Sequence, residues 1–207
     1  NSIHTVNMNT QEDKVYSTNT RGDEFIQKIP AIADVDNDGS NEAVFWYDNN
    51  TDLQYGFLVY DIEQNNVDVI VDNIYLATNV DRNLRAYILK GQPVLVDLNN
   101  DDKYEIAMSV FYDDPNNVDA ASDWFTEIFV YSYNGTKLFS KCEKGFGGCN
   151  DGSSRRSFWE GTNPFVLDID DNGIDEICFI KDDKNLGNFQ AMVLNCYDYT
   201  GNQLSNI

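Results

Sequence analysis

The stretch Pro30-Ala31-Ile32-Ala33-Asp34-Val35-Asp36-Asn37-Asp38-Gly39-Ser40-Asn41-Glu42-Ala43-Val44-Phe45 sets the architecture of this chain, because the chain repeats it. A second copy runs Pro93-Val94-Leu95-Val96-Asp97-Leu98-Asn99-Asn100-Asp101-Asp102-Lys103-Tyr104-Glu105-Ile106-Ala107-Met108. A third runs Pro164-Phe165-Val166-Leu167-Asp168-Ile169-Asp170-Asp171-Asn172-Gly173-Ile174-Asp175-Glu176-Ile177-Cys178-Phe179. Three of the four prolines stand four residues before the first Asp of a copy, and the first Asp residues are 63 (34 to 97) and 71 (97 to 168) positions apart. That is an internal repeat of irregular period.

Each copy reads as apolar run, acidic loop, apolar run. A further run follows that closes on Tyr and a turn: Phe57-Leu58-Val59-Tyr60-Asp61, Ile128-Phe129-Val130-Tyr131-Ser132 and Val193-Leu194-Asn195-Cys196-Tyr197-Asp198. Another short run comes after the turn, such as Val67-Asp68-Val69-Ile70-Val71. Four short strands per copy, hairpin-connected and without helical periodicity, predict an all-β chain of β-propeller-type blades. The expected division is an N-terminal extension or outer strand at 1–24 and blades at 25–85, 86–156 and 157–207. The third has the least length and is the one expected to be incomplete. Three blades fall short of the roughly four that close a ring, so further blades or other copies of the chain are expected to cover the faces and strand edges.

Composition agrees. The 207 residues include 26 Asp and 26 Asn, which favour turns over helix interiors, and 12 Tyr and 12 Phe, which favour strands. The net charge of -21 opposes binding to nucleic acid or to anionic membrane surfaces. No apolar run is long enough to span a bilayer. The N-terminus lacks a leader pattern and an initiator Met, and is expected to belong to a processed or excised piece. A single His, His4, leaves little for nucleophile–base catalysis.

The loops carry the chemistry. Counting the first Asp as position 1, positions 1, 3, 5 and 9 are Asp34, Asp36, Asp38, Glu42; Asp97, Asn99, Asp101, Glu105; and Asp168, Asp170, Asn172, Glu176. All twelve offer oxygen, the donor that calcium takes, and the carbonyls of Ser40, Lys103 and Ile174 at position 7 are expected to complete each shell. Carboxylates this close repel one another without a counter-ion. Gly39 and Gly173 at position 6 allow a sharp turn, whereas the second copy has Asp102 there. The competing reading is an Asx-rich hairpin that binds nothing, and it weighs most for the second loop. An EF-hand is excluded: position 12 is Phe45, Met108 or Phe179, and the flanks read as strand.

This loop between two strands, D-x-[DN]-x-[DN]-G-x-x-E, resembles the FG-GAP repeats of integrin α-subunit propellers and related extracellular propellers, over residues ~25–207. The resemblance implies that each loop joins two strands of a blade and binds calcium, two to three ions in all, at the residues named above. It also implies a non-catalytic extracellular role in adhesion or structural assembly. The alternatives are a polysaccharide-lyase-like enzyme, since some such propellers resemble lyase domains, and a lectin-like module binding glycans.

The four cysteines allow three pairings, of which Cys142–Cys149 with Cys178–Cys196 is the local one; four free thiols are the alternative. No paired C-x2-C spacing suggests zinc. Asn49-Asn50-Thr51 and Asn134-Gly135-Thr136 are glycosylation acceptors, with Asn49 and Asn134 as the modified residues, and lean toward secretion. Arg21-Gly22-Asp23 is an adhesion tripeptide of low specificity. Arg155, Arg156, Trp159 and Glu160 suit either partner binding or ordinary surface packing.

Overall fold

A computed structural model of the chain describes residues 2–6, 10, 13–17, 23–25, 29–49, 54–71, 74, 88–113, 124–143, 163–183 and 191–206. Every regular element among them is a β-strand. The chain divides into two compact units, Asn1–Tyr75 and Leu76–Ile207.

The first unit begins with an antiparallel pair, β1 (Ser2–Val6) and β2 (Asp13–Ser17). Its main sheet is built from β3 (Asp23–Phe25), β4 (Ala31–Ala33), β5 (Glu42–Asn49), β6 (Gln54–Asp61) and β7 (Asn66–Val71). Both β3 and β4 pair with β5, at opposite ends of it, so the sheet is four strands wide with a broken outer strand. The second unit repeats the plan with β8 (Ile88–Lys90), β9 (Val94–Val96), β10 (Glu105–Asp113), β11 (Trp124–Tyr131) and β12 (Lys137–Glu143), where β8 and β9 share one edge of β10. A third sheet follows in the order β13 (Phe165–Leu167), β14 (Glu176–Asp183), β15 (Ala191–Tyr197) and β16 (Gln203–Asn206). All pairings are antiparallel.

The sequence pattern explains the strand order. Phe57-Leu58-Val59-Tyr60 and Ile128-Phe129-Val130-Tyr131 are buried at every residue, as continuous apolar runs must be when both faces of a central strand are covered. The edge strand β7 alternates instead, with Val67, Val69 and Val71 half-buried and Asp68 and Ile70 exposed. Pro30, Pro93 and Pro164 each stand immediately before a short outer strand (β4, β9, β13), where a residue without an N–H donor costs the ladder nothing.

A finer repeat emerges that the apolar pattern does not reveal. In each sheet the pairing shifts by one residue at the closing Tyr, between Val59/Tyr60, Val130/Tyr131 and Cys196/Tyr197. The extra residue on the partner strand is Asp68, Leu138 or Leu204. Such a bulge sharpens local twist and re-aims the side chain at the bulge.

Within the second unit the two sheets pack face to face. Val96, Leu98, Ala107, Ile128 and Val130 of the β8–β12 sheet form one buried cluster with Ile177, Phe179 and Tyr197 of the β13–β16 sheet. The rings of Phe179 and Tyr197 stack with centroids 5.7 Å apart. Gln92 N–H donates to Asn163 Oδ1 at 3.0 Å, tying the break before β9 to the residue preceding Pro164.

Candidate metal centre

The loops lie where an antiparallel pair of strands would otherwise end. Ala33 pairs with Glu42, Val96 with Glu105, and Leu167 with Glu176. Position 9 is therefore the first residue of the second strand, directly opposite the residue that precedes position 1. A glutamate there is buried by the sheet yet faces back into the loop.

The three loops share one hydrogen-bond plan. The position-1 carboxylate accepts the N–H groups of positions 5 and 6: Asp34 from Asp38 and Gly39 (both 3.0 Å), Asp97 from Asp101 and Asp102 (3.1 and 2.9 Å), Asp168 from Asn172 and Gly173 (3.1 and 2.8 Å). The position-5 side chain accepts from the N–H of position 7, which fixes the Ser40, Lys103 and Ile174 peptides (2.8, 3.0 and 2.7 Å). The position-9 glutamate accepts from the N–H of position 2: Val35 to Glu42 at 2.7 Å, Leu98 to Glu105 at 2.8 Å, Ile169 to Glu176 at 2.9 Å.

The backbone reaches this shape through two left-handed residues per loop, at positions 4 and 6. Position 4 is Asn37, Asn100 or Asp171, with φ of 61°, 58° and 60°. Position 6 is Gly39 (96°), Asp102 (64°) or Gly173 (84°). Asn and Asp tolerate this region better than other residues with a Cβ. Asp102 therefore keeps the loop shape that its departure from Gly put in question.

Three carboxylates converge in two of the three, the two that have Asp at position 3. One ligand atom from each of Asp34, Asp36 and Glu42 lies within 4.8 Å of the others, and the same holds for Asp168, Asp170 and Glu176. Asp97, Asp101 and Glu105 form no such group among the described residues. Asp38 at position 5 stands outside the convergent set of its loop, and Asp38, Asp101 and Asn172 each use Oδ1 on the position-7 N–H. In the first loop Asp36 Oδ1 is sealed from solvent and has no hydrogen-bond partner.

A second group appears beside the first loop: Glu42, Asp61 and Asp68 also bring ligand atoms within 4.8 Å of one another. Asp61 is 1% exposed and its Oδ1 caps the following turn, accepting from Glu63 and Gln64 N–H, each at 2.7 Å. Asp68 is the bulge residue of β7. Reading the sequence missed both. Asp61 was visible as the residue after the closing Tyr, but Asp68 looks like one polar step of an alternating edge strand, and only the bulge brings it to the loop.

The electrostatics follow. Burial, then the like charges of Asp36, Asp38 and Asp34, push Glu42 up to about 7 against the opposing Val35 N–H. Burial and the nearby Asp101 and Asp97 push Glu105 up to about 7 as well. Glu176 is raised by burial and by Asp170, Asp168 and Asp175, and Asp68 by burial and then by Asp61, Asp36 and Asp38. Among the described residues, no basic side chain is a cause of the shift at any of the four. Asp198, the counterpart of Asp61 in the third sheet, goes the other way. Burial raises it, but Thr200 and Asn202 donate four hydrogen bonds and bring it below its usual range.

Cys178 and Cys196 are directly opposed across β14 and β15 and form a disulfide, with Cα atoms 4.1 Å apart. Cys142 is placed on β12 by its backbone alone, and Cys149 lies outside the described residues, as do Arg21, Gly22, Arg155, Arg156, Trp159 and Glu160. Asn49 ends β5, with Asn50 and Thr51 outside the described residues; Asn134 sits exposed in a tight turn between β11 and β12. No helix among the described residues is long and apolar enough to cross a membrane. No family model, curated protein or solved structure matches the chain, so what the acidic loops do has to be read from their own geometry.

Proposed function

We propose that the chain is a non-catalytic, extracellular module of FG-GAP-like, propeller-type repeats, in which calcium clamps strand–loop–strand joints and the sheet faces and edges serve adhesion or structural assembly. The observation that carries the cation is Asp36 Oδ1, a carboxylate oxygen buried without a donor beside Asp34 and Glu42. A buried acceptor of that kind costs about 1–3 kcal/mol unless something positive meets it. Oxygen-only donors suit a hard cation, and calcium tolerates the irregular geometry of a loop better than magnesium does.

The clamp would act on the sheet. Position 1 leaves one strand and position 9 starts its neighbour, so a shared ion ties the two strands at their junction and neutralises carboxylates that otherwise oppose folding. The four-stranded antiparallel units, stacked face to face in the second unit, support the propeller-type reading. The Cys178–Cys196 disulfide is compatible with an extracellular setting. The proposed partners are further repeats or other protein copies docking on those faces and edges.

Urea unfolding of the whole chain in calcium and in excess chelator tests the clamp. Calcium should raise the unfolding midpoint and magnesium should do so less. Equal midpoints in calcium and chelator would refute it.

A further inference from the structure

The packing inside the second unit is a template for what a sheet of this chain docks on. The β8–β12 sheet presents the face that carries Val94, Val96, Ala107 and Val130 to the face of the β13–β16 sheet that carries Ile177, Phe179 and Tyr197. Side chains directly opposed across an antiparallel pair lie on the same side of a sheet, so the register maps each face from one sheet to the next.

The other face of the β13–β16 sheet corresponds to the docked face of β8–β12, and it is apolar at the same positions. Phe165 stands at the place of Val94, Leu167 at that of Val96, and Cys178 and Cys196 at those of Ala107 and Val130. The cysteines are buried like their counterparts, but Leu167 is 41% exposed where Val96 is 2%. Phe165 is exposed where Val94 is half-buried, and the bulge residue Leu204 is exposed where Leu138 packs against the shared cluster. These positions carry the residues of a docked face and lie open to solvent.

The first unit carries the complement. In its β3–β7 sheet Ile32, Phe45, Tyr60 and Ile62 stand where Val166, Phe179, Tyr197 and Tyr199 meet the internal interface. Ile32 and Ile70 on this face are 58% and 56% exposed. Leu58 opposite Ile70 replaces Asn195 opposite Asn206, which makes this face more apolar than the one that docks internally. A difference in size is also matched. Gly201, in the turn after Tyr197, lies so near Phe139 that a Cβ on it would fall 2.9 Å from the ring Cγ. The turn after Tyr60 is one residue longer and has Asn65, not Gly, in the left-handed conformation. In the β13–β16 sheet the register position of Phe139 is held by Ser205, so the bulkier turn would meet a smaller residue.

Resting on the reading of the chain as propeller-type repeats that assemble through their sheet faces, we propose that the open face of the β13–β16 sheet receives the β3–β7 sheet of a second copy, as β8–β12 receives β13–β16 within the chain. Each copy then offers one face of each kind. The contact is heterologous, and copies add head to tail into a ring or a fibre.

Sedimentation velocity of the full chain in calcium, from about 1 μM to about 1 mM, tests this. The wild type should associate as concentration rises. I70E and L204E each put a charge at an exposed position of an edge strand, one on each face, and should unfold in urea close to the wild-type midpoint. Each alone should associate at least about tenfold more weakly, because every head-to-tail contact then contains the altered face. Mixed in equal amounts they should form a dimer and nothing larger, since the L204E copy keeps an intact β3–β7 face and the I70E copy an intact β13–β16 face. If I70E alone assembled like the wild type while L204E did not, the open β13–β16 faces would be meeting each other, and the head-to-tail pairing would be overturned. Undiminished association in both variants would overturn this interface and leave assembly through other surfaces standing. A wild-type chain that stays monomeric throughout would overturn the interface as well, and leave further repeats as the partners of the proposed assembly.

Discussion

Glu42 is the residue at which adding and removing calcium should reverse the effect of one substitution. Its side chain is 3% exposed and its Oε2 accepts Val35 N–H at 2.7 Å. Without a cation, burial and the neighbouring aspartates hold its proton up to about 7, against 4.5 for the free side chain. A folded-state value above the unfolded one means stability that is complete at pH below the unfolded value and lost as pH climbs through the folded value. The whole difference corresponds to ~3 kcal/mol. Water reaching the exposed part of the loop screens the like charges, so ~1–3 kcal/mol is the range to expect.

The substitution E42Q removes the charge and keeps an oxygen for Val35 N–H. A neutral acceptor in place of a charged one weakens that bond by about 1 kcal/mol, less than the electrostatic relief at the upper end of the range. At about pH 8 in chelator, E42Q should therefore be at least as stable as the wild type, by up to ~2 kcal/mol. At about pH 4, below the unfolded value, Glu42 is largely protonated in both states and the advantage should vanish. In calcium the order should reverse, because a ligand has been lost and binding adds less free energy to the folded state. Urea unfolding followed by tryptophan fluorescence reads this directly, with Trp46 1% exposed in the same sheet. An E42Q chain that is less stable than the wild type in chelator at about pH 8, yet gains as much from calcium, would refute the electrostatic argument.

Three further outcomes follow from the same geometry. D68N should raise the stability of the metal-free chain at pH above the ordinary aspartate range and flatten its fall as pH rises out of that range, since burial first, then Asp61, Asp36 and Asp38, raise the Asp68 carboxyl; an unchanged pH profile in a denaturation series would count against the second carboxylate group. G91A should cost ~1–3 kcal/mol or more, because a Cβ there would lie 2.1 Å from Ser109 Oγ and 2.9 Å from Asn163 Oδ1; the G91A/S109A double variant should recover part of the loss in urea unfolding, and no recovery would mean that the clash is elsewhere. The double variant C178A/C196V should stay folded and lose about 3 kcal/mol. Its pair already stands at the corresponding place in the β8–β12 sheet as Ala107 opposite Val130. Failure to give a cooperative unfolding transition under any condition would refute that equivalence.

How far the sequence could be read depended on how local each cause was. The three strand–loop–strand copies were legible because every determinant lies within sixteen residues: a proline before the strand, alternating oxygens in the loop, a glutamate at the strand start. The local disulfide, Cys178 with Cys196, was legible for a related reason, since the two lie in consecutive strand-like runs, which pair as β14 and β15. Position 4 was passed over, although Asn37, Asn100 and Asp171 are residue types that suit its left-handed backbone. Nothing in the oxygen pattern marks position 4, because its side chain is no ligand there.

Asp61 and Asp68 show where local reasoning stops. Asp61, Ser132 and Asp198 all follow a closing Tyr, and all begin a turn, yet of the two acids Asp61 joins an acidic group among the described residues and Asp198 does not. Asp198 is satisfied by donors from Thr200 and Asn202 within its own turn. Asp61 meets donors too, from Glu63 and Gln64, but β7 sets Asp68 against it through the bulge that places Leu138 and Leu204 in the other two sheets. An apolar bulge residue in two sheets and an acid in the third is a difference of one side chain. Its consequence depends on a pairing register that no window of sequence contains. Asp34, Asp36, Glu42, Asp61 and Asp68 thus gather at the first loop, and among the described residues no basic one shifts Glu42 or Asp68. If a cation holds any joint in this chain, the charge balance puts it first at this one.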